Sequence, residues 1–300
     1  MNITIITLRA FIAIGIQRIS VSFYIMKSFA SKIVVFLFVF MGCGFTEPQP
    51  CSILDRVVVT GASVTAGYGV TTPPIAGDLG AYQVTMQHIM EGMITSEHEE
   101  VMIFGDLMFF QHSKENATAY IEQIKEYKPS LVIGVDFLFW FGHGTPPTDC
   151  DVPTYRMEKL NFALNLLEKL NVPVVIGNLP DVRNAIGKML SSNQVPSKEL
   201  LVQMNKRIHS WGTEHENVSI IDVFTLWNKL LHDEEIVLVE HTWPAGSREK
   251  LLQKDMLHTT FEGTVAASLL VAEATIIDCI ETDPKVIMKK AAANARASSN

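Results

Sequence analysis

From Asp55 onward the chain alternates two textures, and that alternation constrains the fold more than any other feature. Short apolar, largely β-branched runs stand at 56–60 (RVVVT), 101–104 (VMIF), 131–135 (LVIGV), 172–177 (VPVVIG) and 218–223 (VSIIDV). Continuous apolar runs of this length are the pattern of strands buried on both faces. Between them lie longer stretches with helical spacing, at 115–128, 155–170 and 197–214, and a last apolar helix is expected over 262–280. Strand–helix–strand units demand parallel pairing, because each helical crossover returns the chain in the same direction. The expectation is an α/β domain over 55–282 with a mainly parallel five-stranded sheet and helices on both faces. Ligands bind such sheets at the carboxyl edge of the strands. The Gly/Pro-rich loop GVTTPPIAGDLG (69–80) follows the first strand and falls on that edge. The closing AAANARASSN reads as the end of a flexible tail over 283–300.

Composition narrows the function. The 300 residues are 48% hydrophobic, enough to fill one such core. A net charge of -8 and the lack of any Lys/Arg cluster argue against nucleic-acid binding. The mean hydropathy of +0.21 is raised by the first 45 residues. There a second methionine, Met26, opens MKSFASKIVVFLFVFMGC, with Lys27 and Lys32 ahead of a short apolar core and small residues after it. That is the anatomy of an export signal, and the core is too short to span a membrane comfortably. FMGC resembles a lipobox, which makes Cys43 a candidate lipid attachment point. The expectation is an exported, extracytoplasmic protein, either released or anchored through Cys43 or the apolar segment of residues 1–45. The other cysteines are Cys51, Cys150 and Cys279; one disulfide is compatible with export, and spacing does not select the pair. No CxxC pair is present to build a structural zinc site.

The chemistry concentrates around Ser63 in VVVTGASVTAGYG (57–69). One reading is a dinucleotide loop similar to that of short-chain dehydrogenases, with Tyr155 and Lys159 as a Tyr-x-x-x-Lys pair. The gap from Gly61 to Gly67 is two residues too long for that loop, whose glycines admit the pyrophosphate at fixed places. A binuclear metal site faintly suggested by Asp106, Asn178 and Asp181 lacks its opening Asp-x-His and closing Gly-His-x-His, so no metal and no cofactor are expected. The remaining reading is a nucleophile, which needs a base, which in turn needs an orienting acid. Asp255 and His258 stand three apart in LLQKDMLHTTFEG, just before the last helix.

With these residues set out, the chain resembles the SGNH, or GDSL, hydrolases over roughly 55–280. The first family block, Gly-Asp-Ser-x-x-x-Gly, corresponds to Gly61-Ala62-Ser63-Val64-Thr65-Ala66-Gly67, and the last, Asp-x-x-His, to Asp255-Met256-Leu257-His258. The resemblance implies a three-layer α/β/α sandwich like flavodoxin and hydrolysis of small-molecule esters of lipids, sugars or small acyl groups without a cofactor. It implies that Ser63 attacks, His258 carries the proton and Asp255 orients it, with Gly105 supplying an oxyanion N–H. The chain departs from the family at Ala62, and more seriously at Asp136, which stands where the third block has an oxyanion-hole Asn. A carboxylate cannot donate to an oxyanion, and losing one such donor costs about 10²- to 10³-fold in rate. Asp136 is therefore expected to be protonated in the apolar surroundings of FLFWF (137–141), to point elsewhere, or to leave a relative that binds carbohydrate or lipid without cleaving it. Asn178 is a candidate substitute amide. His112, His143 and His241 are expected to be solvated or loop histidines, and Trp243 to line the mouth of the site or close a loop.

Overall fold

A computed structural model describes residues 51–275 and 278–299. The expected leader, with Met26 and Cys43, lies outside the described residues. Five parallel strands, β1 (Val57–Gly61), β2 (Met102–Gly105), β3 (Leu131–Gly134), β4 (Val174–Gly177) and β5 (Val218–Ile221), form one sheet in the order β2-β1-β3-β4-β5. Every residue of β1, β3 and β4 is buried, whereas the edge strands β2 and β5 are largely half-exposed. That explains why the inner strands read as unbroken Val/Ile runs.

The helices are α1 (Met86–Met93), α2 (Ser113–Tyr127), α3 (Phe139–Gly142), α4 (Val152–Leu167), α5 (Lys198–Glu214), α6 (Val223–His232), α7 (Arg248–Leu251), α8 (Phe261–Thr275) and α9 (Pro284–Ala297). The crossover from β1 to β2 runs one way across the sheet and the later crossovers run the other way. Right-handed connections therefore put α1 on the face opposite α2, α4 and α5. The contacts agree: α2 packs on α4 and α4 on α5, whereas α1, α6 and α9 gather around α8. The result is a three-layer α/β/α sandwich with the flavodoxin-like strand order. A small antiparallel hairpin, β6 (Ile236–Leu238) and β7 (His241–Trp243), follows α6.

Several boundaries differ from the sequence expectation. The run VSIIDV does not stay extended to its end, because the Asp222 carboxylate accepts the Thr225 N–H at 3.0 Å and caps α6 from Val223. The last apolar helix is described over Phe261–Thr275 and does not reach 280, since residues 278–280 are no longer helical. Beyond it Cys279 is bonded to Cys51, with their Cα atoms 5.8 Å apart, and Ile280 bridges Ile94 in an antiparallel pair. Cys150 is free. The segment from 284 to 297 is a helix and not a loose tail. Asp283 caps it by accepting the Lys285 N–H at 2.8 Å, Pro284 opens it, and Ile287, Ala291 and Ala295 form a buried stripe against α1.

His143 is also a correction, since it is buried rather than solvated. Its ring stacks on Phe139 at 4.3 Å and its Nδ1 lies 3.1 Å from the Phe139 carbonyl. Burial drives its pKa down to about 3, helped by the nearby Arg156 charge. Arg156, itself buried, donates to the carbonyls of Gly142, Gly144 and Asn193. His112 is exposed and His241 lies in β7, half-buried. Trp243 closes a loop: it is buried and its indole N–H reaches Glu262 at 2.8 Å.

Candidate active site

Ser63 sits two residues past the end of β1, at the carboxyl edge of a central strand. The chain turns there in a single helical turn, with the Ala66 N–H reaching the Ala62 carbonyl at 2.9 Å and the Tyr68 N–H reaching the Ser63 carbonyl at 2.9 Å. The turn leaves the Ser63 side chain half-exposed at the edge.

Asp255 and His258 approach from the segment between α7 and α8. Met256 adopts a left-handed conformation (φ 62°), which folds the segment tightly enough for one carboxylate to serve three donors. Asp255 Oδ1 accepts the Leu257 and His258 N–H groups at 2.9 and 3.0 Å, and Oδ2 lies 2.7 Å from His258 Nδ1. The other ring nitrogen, Nε2, lies 3.1 Å from Ser63 Oγ. His258 is buried. Burial alone would raise the Asp255 carboxyl, but the His258 and Leu257 N–H groups and the His258 ring outweigh it and hold the pKa below the ordinary value. Asp255 is thus a carboxylate at neutral pH, and its contact favours the tautomer with hydrogen on Nδ1 and a bare Nε2 facing the serine.

Both Asp136 carboxylate oxygens are engaged by the residues around Ser63. Asp136 grips the serine turn from beneath. Oδ1 accepts the Ala62 N–H at 3.0 Å and the Thr65 hydroxyl at 2.6 Å, while Oδ2 accepts the Val64 and Thr65 N–H groups at 2.8 and 3.4 Å. These contacts skip the Ser63 N–H, which has no protein acceptor among the described residues. Burial pushes the Asp136 carboxyl up, against the downward pull of those same hydrogen bonds. Gly61 makes this approach feasible: a Cβ there would run into Asp136 Oδ1 and Thr65 Oγ1. Gly105 pairs with Gly61 at the end of β2, and a Cβ on it would come within 2.9 Å of Thr65 Cγ2.

Asn178 lies at the end of β4, but its amide is occupied. Nδ2 donates to Asp222 at 2.8 Å and lies 3.4 Å from His209 Nε2, and Oδ1 accepts the Phe224 N–H at 2.7 Å. It braces the start of α6, with its amide held between Asp222 and the Phe224 N–H.

Two neighbours escaped the sequence reading. Tyr68 stacks on the His258 ring at 4.1 Å and forms an outer wall of the imidazole. Gln253 donates to the carbonyls of Tyr68 and Thr259 at 2.8 and 2.7 Å, tying the serine loop to the histidine segment. Only the position of Tyr68 just after Gly67 hinted at a role, and nothing marked Gln253. FLFWF divides: Phe137 and Phe141 belong to the core, and Phe139 lines a cavity that Ser63 also lines. Tyr155 and Lys159 lie on α4, with the Lys159 ammonium 5.8 Å from the Phe141 ring centre; burial lowers its pKa to about 8. Among the described residues no group of three or more His, Cys, Asp or Glu side chains is disposed to hold a metal ion.

No protein-family model and no curated protein matches the chain. Among solved structures it is similar to a lipase/acylhydrolase from Enterococcus faecalis, at 15% identity and a TM-score of 0.47 over 76% of this chain and 98% of that one. It is also similar to an acetylxylan esterase from Geobacillus stearothermophilus, at 12% identity and a TM-score of 0.44 over 76% and 97% of the two chains.

Proposed function

We propose that the chain is a serine ester hydrolase of the SGNH type, acting by acyl transfer to Ser63 and then to water. One observation carries this reading: a buried His258 whose Nε2 lies 3.1 Å from Ser63 Oγ while its Nδ1 lies 2.7 Å from an ionised Asp255. Ser63 Oγ attacks the ester carbonyl as His258 Nε2 takes its proton. Asp255 holds the ring in the required tautomer and favours the imidazolium that forms. The proton then passes to the departing alcohol oxygen as the tetrahedral intermediate collapses to the acyl-enzyme. A water molecule, deprotonated by the same nitrogen, releases the acid. The oxyanion donors are the Ser63 N–H, left without a protein acceptor by Asp136, and, as the family resemblance implies, the Gly105 N–H at the end of β2. Asp136 is a positioning residue that fixes the turn carrying the nucleophile.

The dinucleotide reading is disfavoured at the same spot. The space beside Gly61, where a pyrophosphate would have to approach, is filled by the carboxylate of Asp136. The inactive, ligand-binding reading drew its support from Asp136 as an anion in the oxyanion hole, and the four donors that face this carboxylate remove that support. An extracytoplasmic location is part of the proposal and is supported by the Cys51–Cys279 disulfide, a bond favoured in oxidising compartments.

The test is labelling of the full chain with a fluorophosphonate probe beside its Ser63→Ala variant. Labelling that is lost in the variant supports an activated Ser63. A folded wild-type protein that stays unlabelled overturns the proposal.

A further inference from the structure

Ser63 and His258 stand 195 residues apart in the chain, and their side chains meet at 3.1 Å. The histidine segment lies between α7 and α8, outside the sheet, so something besides strand pairing must hold that distance. A relay of hydrogen bonds spans it. The Tyr68 N–H donates to the Ser63 carbonyl at 2.9 Å. The Tyr68 carbonyl accepts from Gln253 Nε2 at 2.8 Å, and the same nitrogen donates to the Thr259 carbonyl at 2.7 Å. Thr259 follows His258 directly, so the relay runs from the peptide of the nucleophile to the neighbour of the base. Gln253 also closes the loop that carries Asp255 and His258. Its N–H donates to the His258 carbonyl at 2.8 Å, and its carbonyl accepts the Met256 N–H at 3.0 Å.

The chemistry of the relay leaves no choice of amide orientation. Carbonyl oxygens only accept, so the Gln253 NH₂ must face Tyr68 and Thr259, and both of its hydrogens are used. Gly69 leaves room for the other half of the amide. Its φ is +68°, and a Cβ there would come within 2.8 Å of Gln253 Oε1. The relay also governs a ring. Tyr68 is 37% exposed and stacks on His258 at 4.1 Å. Releasing its carbonyl lets a ring this exposed leave the imidazole.

We propose that Gln253 is a positioning residue, which sets the reach of His258 to Ser63 and keeps the Tyr68 ring on the imidazole. The kinetic consequence rests on the hydrolase reading; the clamp itself does not. The test compares the full chain with Gln253→Met, which keeps the length and loses both donors. Gln253→Glu, which keeps the shape but turns a carboxylate toward two carbonyls, is the second variant and carries both readouts if the first does not fold. Saturable labelling by fluorophosphonate separates the limiting rate from the affinity for the probe. The limiting rate falls about tenfold or more, while the affinity changes by less than about twofold. A folded variant that labels at the wild-type limiting rate, whatever stability it loses in urea, overturns the proposal. The second readout needs no reaction. A stacked ring shields the protons over its face, so the His258 ring protons of the wild type lie upfield in proton NMR. In Gln253→Met they move downfield, most of the way to their position in Tyr68→Leu. Resonances that stay in place in Gln253→Met overturn the clamp. A wild-type Ser63 that does not label overturns the hydrolase reading separately, and the NMR shift still decides whether Gln253 holds the ring.

Discussion

Replacing Asp136 by Asn separates two opposite views of this residue. Aligned on the third family block, the Asn variant restores a donor and raises activity. The geometry requires the reverse. Both carboxylate oxygens accept at least one backbone N–H: Ala62 on Oδ1, Val64 and Thr65 on Oδ2. An Asn side chain must place its NH₂ at one of those two positions, where it meets an N–H and cannot accept from it. With the NH₂ at the Oδ1 position the Thr65 hydroxyl can turn round to accept, so the minimum loss is the Ala62 bond alone. One buried backbone donor left unpaired costs about 1–3 kcal/mol. The turn that has to give is the one carrying Ser63, and a displacement of about 1 Å at a nucleophile can cost about 10²-fold in rate. Asp136→Asn should therefore lose about 1–3 kcal/mol of stability in urea titration and label with fluorophosphonate at least about tenfold more slowly than wild type. An Asn variant that labels as fast as wild type, or faster, refutes the positioning role and returns Asp136 to the oxyanion site as an obstacle.

Tyr68→Leu removes the ring stacked on His258, and with it the cation–π support for the imidazolium formed during attack, worth about 0.5–2 kcal/mol. The expected result is about a two- to thirtyfold drop in kcat, that energy as a rate ratio, with Tyr68→Phe near wild type; equal losses in both variants would contradict it. His143, buried with a pKa of about 3, binds a proton in the unfolded chain below about pH 6.5 but not in the folded one. Stability is therefore lost as pH falls through that window, by about 2.5 kcal/mol between about pH 6.5 and 4.5. Urea midpoints for His143→Gln should depend less steeply on pH over that range, and an unchanged slope would show that another group governs the acid limb. The Cys51–Cys279 bond closes a separation of 228 residues, so the Cys51→Ser/Cys279→Ser double variant should lose about 2–5 kcal/mol. At this chain size that lowers Tm by about 10 °C, and a Tm unchanged by the double substitution would mean the ends are held by packing alone.

The sheet was legible because its inner strands are buried on both faces and had to be written as unbroken apolar runs. Ser63, Asp255 and His258 were legible as a set because chain order and spacing put a serine after the first strand and an Asp-x-x-His before the last helix. The structure brings the three side chains into hydrogen-bonding reach. Asp136 was legible only as a residue type out of place. Which atoms it faces depends on how the turn after Gly61 directs its amides, and no spacing rule encodes that. Asn178 misled for a related reason: its amide fits the sequence slot, but Asp222 and the start of α6 already hold it. The helix over 284–297 hid in plain composition. Its Ala-rich, polar ending looks like a loose tail until Ile287, Ala291 and Ala295 are read as one stripe and Asp283-Pro284 as its start. Tyr68 owes its place to ring stacking on His258, far away in the chain, which leaves no periodic trace.

The disulfide has a directional consequence. Cys51 enters the domain ahead of β1, and its bond to Cys279 pins that entry point at the amino end of the strand. Ser63 leaves from the opposite end. Five residues of β1, at about 3.3 Å each, put roughly 16 Å of rigid sheet between the two poles. The covalent clamp and the serine turn therefore stand at opposite ends of one strand, and strain at the first reaches the second only through the sheet.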